Sequence, residues 1–244
     1  MLVIRQAQLA TLSRLAAGQF EQRMRAHVRK FFPRQCLFIG DAQVDAALRL
    51  AIERAERSGL RTCRQLCLSL SLSFLLGSHY DEDAQYPWAS HAGVAAGAVD
   101  PDEHIDAVVD TTMRYLDEVH GDDNELLVRT LVRVRRLDDA TLPRLSDGAG
   151  TDAAAAFLST LSPRKAARQH DATAGLLADA LALSARRGWD ADTGPAIALL
   201  HAFLLGAGFA RDPQFPWAAD APGGAATERA VLARSVDFIH AVLR

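Results

Sequence analysis

The residues best suited to chemistry gather in one short stretch. His79, Asp81, Glu82, Asp83 and His91 bring two imidazoles and three carboxylates close together in the chain. A transition metal such as zinc needs three or four ligands of these types to converge on one point. A metal-dependent enzyme using the His79–His91 loop, with His79, Asp81, Asp83 and His91 as ligands, is therefore one reading. The plainer reading is an acidic, solvated turn, and the chain itself favours it. A related stretch further along has Gly208, Ala210 and Arg211 where the first has His79, Asp81 and Glu82.

Other candidates are weaker. Cys63 and Cys67 are four apart, one turn of a helix, but no second cysteine or histidine pair stands near them, so they read as core thiols. His201 sits in an apolar run and reads as a core histidine, while His104, His120 and His240 fall at outward-looking helical positions. The chain contains no Gly-x-Ser-x-Gly, His-Glu-x-x-His, Walker or Gly-x-Gly-x-x-Gly pattern. Asp106 and Asp110 are one turn apart and read as solvated charge. No catalytic residue, cofactor or metal is assigned, and the chain is expected not to be an enzyme.

Two basic runs, Arg23 to Arg34 and Arg129 to Arg136, could meet nucleic acid, and Phe31 and Phe32 adjoin the first. The net charge of −3 argues against that partner, which leaves a solvated face or an acidic protein partner.

The strongest pattern is a repeat. Residues 74–89, from Phe74-Leu-Leu-Gly77 to Asp83-Ala-Gln-Tyr-Pro-Trp-Ala89, return at 203–218 as Phe203-Leu-Leu-Gly206 to Asp212-Pro-Gln-Phe-Pro-Trp-Ala218. Tyr80/Phe209 and Tyr86/Phe215 are aromatic exchanges in the same register. Leu48, Ala51, Ile52, Arg57 and Gly59 face Leu177, Ala180, Leu181, Arg186 and Gly188, and one residue out of that register Pro33-Arg34 faces Pro163-Arg164. The expectation is two tandem copies of a four-helix module, residues 1–121 and 122–244, packed as a pseudo-symmetric all-α domain. Residues 122–136 would be a connecting helix.

The copies also arbitrate local structure. Leu66 to Phe74 alternates leucine and serine, a strand-like period, but its partner Pro195 to Phe203 does not alternate, so both read as helix. Thr62-Cys-Arg-Gln65 forms a capping box, and Gly77 and Gly206 stand where helices end. Further helices are expected over about 6–31, from Asp41 to Gly59, from Asp100-Pro101 to Gly121, and from Thr227 to Leu243. In the shared loop, Asp83 and Asp212 are expected to cap a turn, while the prolines aim Trp88 and Trp217. Each indole plugs the end of its own module, or else anchors a partner.

Composition sets the outer bounds. With 49% hydrophobic residues and 23% charged, the chain can bury a proper core. Three cysteines are not a disulfide framework, which points to a reducing, cytoplasmic setting. Met1 to Arg5 does not read as a signal peptide, and no apolar run approaches the ~20 residues that cross a bilayer. Lys30 and Lys165 are the only lysines, which reads as the codon bias of a GC-rich bacterial genome.

Met1-Leu-Val-Ile-Arg-Gln-Ala-Gln-Leu9, Arg25-Ala-His-Val-Arg-Lys-Phe-Phe-Pro33 and Ala51-Ile-Glu-Arg-Ala55 through Pro87-Trp88-Ala89 resemble one family. It comprises small, all-helical proteins encoded beside type VI secretion spike and effector genes in Gram-negative bacteria. Its members carry one copy, so the doubling departs from the pattern. The resemblance implies a cytoplasmic, protein-binding adaptor or co-chaperone for an effector or spike protein. An immunity protein masking a basic toxin is the alternative, with the acids of 81–83 and 100–106 as its face. Partner-binding residues on these readings are Trp88, Trp217, Asp81, Glu82, Asp83, Phe31 and Phe32. The unlike segments, 89–100 against 218–226 and 16–32 against 146–162, would set specificity.

Overall fold

Leucine–serine alternation over 66–74 does not make a strand, because Ser71 and Ser73 satisfy their hydroxyls within a helix. Ser71 Oγ donates to Cys67 O and Ser73 Oγ to Ser69 O, both at 3.0 Å and both four residues back. The computed structural model describes residues 6–145, 150–219 and 228–243, with side chains from residue 18 onward. Among them all regular structure is helical. In chain order the α-helices are α1 Gln6–Phe31, α2 Pro33–Ile39, α3 Asp41–Arg57, α4 Cys63–Leu76, α5 Ala92–Ala95 and α6 Pro101–His120. They continue as α7 Glu125–Arg135, α8 Gly150–Leu161, α9 Pro163–Arg168, α10 Thr173–Arg187, α11 Gly194–Leu205 and α12 Glu228–Leu243.

Local signals place the ends. Thr62 and Gln65 form the reciprocal capping box at α4. Asp100 accepts from the Asp102 and Glu103 amides ahead of Pro101. The expectation of four helices per copy falls short. Pro33 and Pro163, which cannot continue a preceding helix, each open a further short one, α2 and α9. Ala92–Ala95 adds another turn. The expected connector over 122–136 begins instead as a 3-10 turn, Asp122–Asn124, with left-handed Asp123 and Asn124, before α7. The expected start at Thr227, parts of the unlike segments 146–162 and 218–226, and the side chains at the front of α1 lie outside the described residues.

Helix α11 is buried on all sides, with only Leu204 of its twelve residues not buried. An all-round apolar helix belongs at the centre of a core. Around it one apolar cluster runs from Val28, Val44 and Phe74 to Leu158, Leu199 and Phe238. A boundary at residue 121 therefore does not separate two cores. A second cluster, including Leu66, Tyr86, Ile105 and Tyr115, belongs to the first half.

The short helices cross the divide. α2 packs on α12, and α9 on α6. Phe38 of α2 meets the Phe238 and Trp217 rings at 5.4 and 5.5 Å, edge to face. Beyond α9, Gln169 Nε2 donates to the Tyr115 hydroxyl of α6 at 2.8 Å. Among the described residues no helix is long and apolar enough to cross a membrane.

Candidate functional site

The shared loop follows α4 and α11 and runs through two 3-10 turns in each half, Tyr80–Glu82 and Pro87–Ala89, then Phe209–Arg211 and Pro216–Ala218. Each aspartate caps its own turn as expected: Asp83 Oδ1 accepts from the Gln85 amide and Asp212 Oδ1 from the Gln214 amide, both at 2.9 Å. The other oxygen of each carboxylate does something the sequence did not suggest. Asp83 Oδ2 accepts from the Ala207 amide at 2.7 Å, and Asp212 Oδ2 from the Ser78 amide at 2.6 Å. Ser78 and Ala207 occupy the same place in the two copies, so the bonds are reciprocal.

The glutamines repeat the exchange. Gln85 Nε2 donates to Ala202 O at 2.9 Å, and Gln214 Nε2 to Ser73 O at 2.8 Å. Between them the loops touch almost backbone to backbone. A Cβ on Gly77 would lie 2.9 Å from Leu205 O, and one on Gly206 would lie 3.0 Å from Leu76 O. Both glycines also have positive φ, +98° and +95°. The motif is thus a clasp between the halves. Burial raises the Asp212 carboxyl above its ordinary range, against the pull of its hydrogen-bond donors.

The clasp also explains why the copies differ at His79 and Gly208. A Cβ on Gly208 would stand 2.5 Å from the Cβ of His79. The two equivalent positions face each other across the seam, and there is room for one side chain. Among the described residues neither ring nitrogen of His79 has a hydrogen-bond partner, and burial, with Arg54 and Arg211, lowers its pKa.

The candidate metal loop comes apart in the structure. Asp81 forms a buried ion pair with Arg54 at 2.6 Å, and Glu82 reaches the same guanidinium at 3.0 Å. Asp83 belongs to the clasp. His91 turns elsewhere: its Nε2 meets Tyr80 OH and its Nδ1 meets His104 Nε2, each at 2.9 Å, and Tyr80 OH also meets Ser69 Oγ at 2.9 Å. Burial drives His91 down to about 4, so it is neutral at pH 7. Among the described residues no three His, Cys, Asp or Glu side chains converge as a metal site.

The partner-binding residues divide in the same way. Asp83 is buried, which removes it from any surface. Trp88 Nε1 donates to Thr112 and Trp217 Nε1 to Ser235, at 3.2 and 2.9 Å, and both rings are half-buried among aromatics. Phe31 is exposed, while Phe32 packs on Phe74 with ring centroids 5.2 Å apart. The acidic face of the immunity reading is paired only in part: Arg64 meets Asp106 at 2.5 Å and lies beside Asp102. In the basic runs Arg25, Arg29, Arg129 and Arg135 are paired with Asp45, Asp41, Glu125 and Asp237. Cys63 is exposed, against the expectation of a core thiol, because it is the first residue of α4. His104 and His120 are half-buried rather than outward, since both flank the apolar stripe of α6.

Sequence reading missed a cavity of about 430 Å³ between the halves, lined on its polar side by Ser162, Lys165, His120 and Tyr115. The scarcity of lysine was a signal, because one of only two in the chain stands here. Comparison with family models, curated proteins and solved structures gives no match for this chain.

Proposed function

We propose that the protein is a non-catalytic adaptor or co-chaperone, acting in the cytoplasm, that binds a type VI secretion effector or spike protein. Its resemblance to secretion-associated proteins over residues 1–89 supports the secretion setting. The observation that carries the binding role is a pair of unburied apolar side chains on α1 and α2. Phe31 is 58% exposed and Leu37 is 85% exposed. They stand beside Lys30 and Arg34, which fits a partner surface that is both apolar and acidic. The commitment of Asp81, Asp83 and His91 to internal bonds supports a role other than catalysis.

The same proposal includes the chain's organisation: two modules, residues 1–121 and 122–244, related by an approximate two-fold. The long helices α1, α3, α4 and α6 would correspond to α8, α10, α11 and α12. The reciprocal bonds of the clasp and the crossed packing of α2 and α9 support it. The test is affinity capture from the source bacterium with mass spectrometry, using the unaltered protein and Leu37→Asp. Recovery of an effector together with a spike protein, lost in Leu37→Asp, is the expected result. An effector alone, with rescue of growth on co-expression, would replace the adaptor by an immunity protein. Capture of neither would overturn both.

A further inference from the structure

The cavity in the seam is largely apolar, and its walls come in matched pairs from the two halves, Leu76 with Leu205 and Tyr86 with Phe215. Leu75 and Met113, also in its lining, are 41% and 47% exposed, which places its mouth between α4 and α6. Its polar wall breaks the pairing. Lys165 matches Gln35 in the register that aligns Pro163 with Pro33. Gln35 is satisfied, because its amide donates to Gln214 Oε1 at 2.6 Å and to Phe74 O at 3.3 Å.

Lys165 is not satisfied. Among the described residues no carboxylate pairs with it and no acceptor bonds it; its ammonium lies 4.9 Å from the centroid of the buried Phe203 ring. Burial lowers its pKa to about 8, opposed by the charge of Asp83, which is itself held by Ala207 and Gln85. Burial and the Lys165 charge hold His120 down to about 4, so this wall presents one cation and a neutral imidazole at pH 7. The Tyr115 hydroxyl accepts from Gln169, and its own proton has no acceptor among the described residues. The Ser162 hydroxyl likewise makes no hydrogen bond among them, and it lies three residues before Lys165 at the head of α9.

We propose that this cavity binds a medium-chain aliphatic carboxylate, its head on Lys165, Tyr115 and Ser162 and its chain along the apolar wall toward Leu75 and Met113. The volume, within the roughly 300–1,000 Å³ of small-ligand pockets, suits a ligand of medium size, of which dodecanoate is representative. The single cation selects a monoanion, because a dianion would leave one charge unpaired in an apolar wall. Lining Asp117 adds to that preference.

Titration calorimetry with dodecanoate, below its micelle concentration, tests the site on the full chain. The expected result is one molecule bound per chain and at least tenfold weaker binding to Lys165→Met, which removes the charge and keeps the length. On the unaltered protein, dodecanol and dodecyltrimethylammonium should each bind at least tenfold more weakly than dodecanoate. Absence of dodecanoate binding, or an alcohol that matches it, overturns the proposal. So does a Lys165→Met protein that is less stable yet binds equally well, since the lysine would then serve the unbonded Gln85 Oε1.

Discussion

Replacing Asp212 by alanine removes one arm of the clasp, and the structure fixes the size of the effect. The carboxylate accepts from the Ser78 amide at 2.6 Å, the Ser78 hydroxyl at 2.7 Å and the Gln214 amide at 2.9 Å. Ser78 and Gln214 are both buried, at 1% and 0% exposure, so water does not replace the lost acceptor without rearrangement. Hydrogen bonds to a charged group contribute about 1.5–3 kcal/mol each, and a stranded buried donor costs about 1–3 kcal/mol. Against this, truncation relieves the desolvation that raises the Asp212 pKa. The balance is a loss of about 3–5 kcal/mol, the larger part from the two bonds that reach across the seam. In a chain of this size each kcal/mol moves the midpoint by about 2–4 °C, so Asp212→Ala should melt roughly 10 °C lower. Urea denaturation followed by circular dichroism gives the free energy directly. Asp179→Ala, on the exposed face of α10, is the control and should fall within about 0.5 kcal/mol of the unaltered protein. If Asp212→Ala unfolds within 1 kcal/mol of that control, the clasp is not a stabilising feature and the reasoning fails.

Two further outcomes follow from the same geometry. Gly206→Ala should cost about 2–4 kcal/mol in urea denaturation, because a Cβ there meets Leu76 O at 3.0 Å and φ is +95°; a loss near the ~1 kcal/mol of an ordinary exchange would show that the halves do not approach so closely. Stability should also fall as pH drops from about 6.5 to 4, because His91, His120 and His201 are held near 4 when folded by burial and regain 6.5 when unfolded. The unfolded chain then binds more protons across that window, and the stability is fully present only above it. His201→Leu, which installs the residue that stands buried at the equivalent Leu72, should remove about 3 kcal/mol of that dependence; an unchanged slope in urea midpoint against pH would contradict it.

The helical class and the ends of α4 and α6 were legible in the sequence because capping and proline act on neighbours a few residues away. The clasp was not, for a specific reason. A bond from Asp83 to Ala207 and one from Asp83 to Ser78 leave the same trace in a duplicated chain, since Ser78 and Ala207 are equivalent. Repetition alone does not say whether a conserved pair meets within a copy or across copies. The one visible clue was an asymmetry, His79 against Gly208, which sequence reading took as evidence against a metal site. It is better explained as crowding where equivalent positions meet. The role of Lys165 was hidden because its repeat partner, Gln35, is chemically unlike it, and its lack of a counter-ion exists only in three dimensions. The short helices α2 and α9 were half-legible: Pro33 and Pro163 were aligned as a matched pair, yet a proline that ends one helix equally well begins the next.

Native-state hydrogen exchange at the Ser78 and Ala207 amides tests the clasp most directly. Both lie just beyond helix ends, where an amide without a partner exchanges freely, yet each donates to a buried carboxylate of the opposite half. Both amides should exchange only with global unfolding, at the rate of core amides in α4 and α11. Exchange at the rate of an open loop, with α4 and α11 still protected, would contradict it.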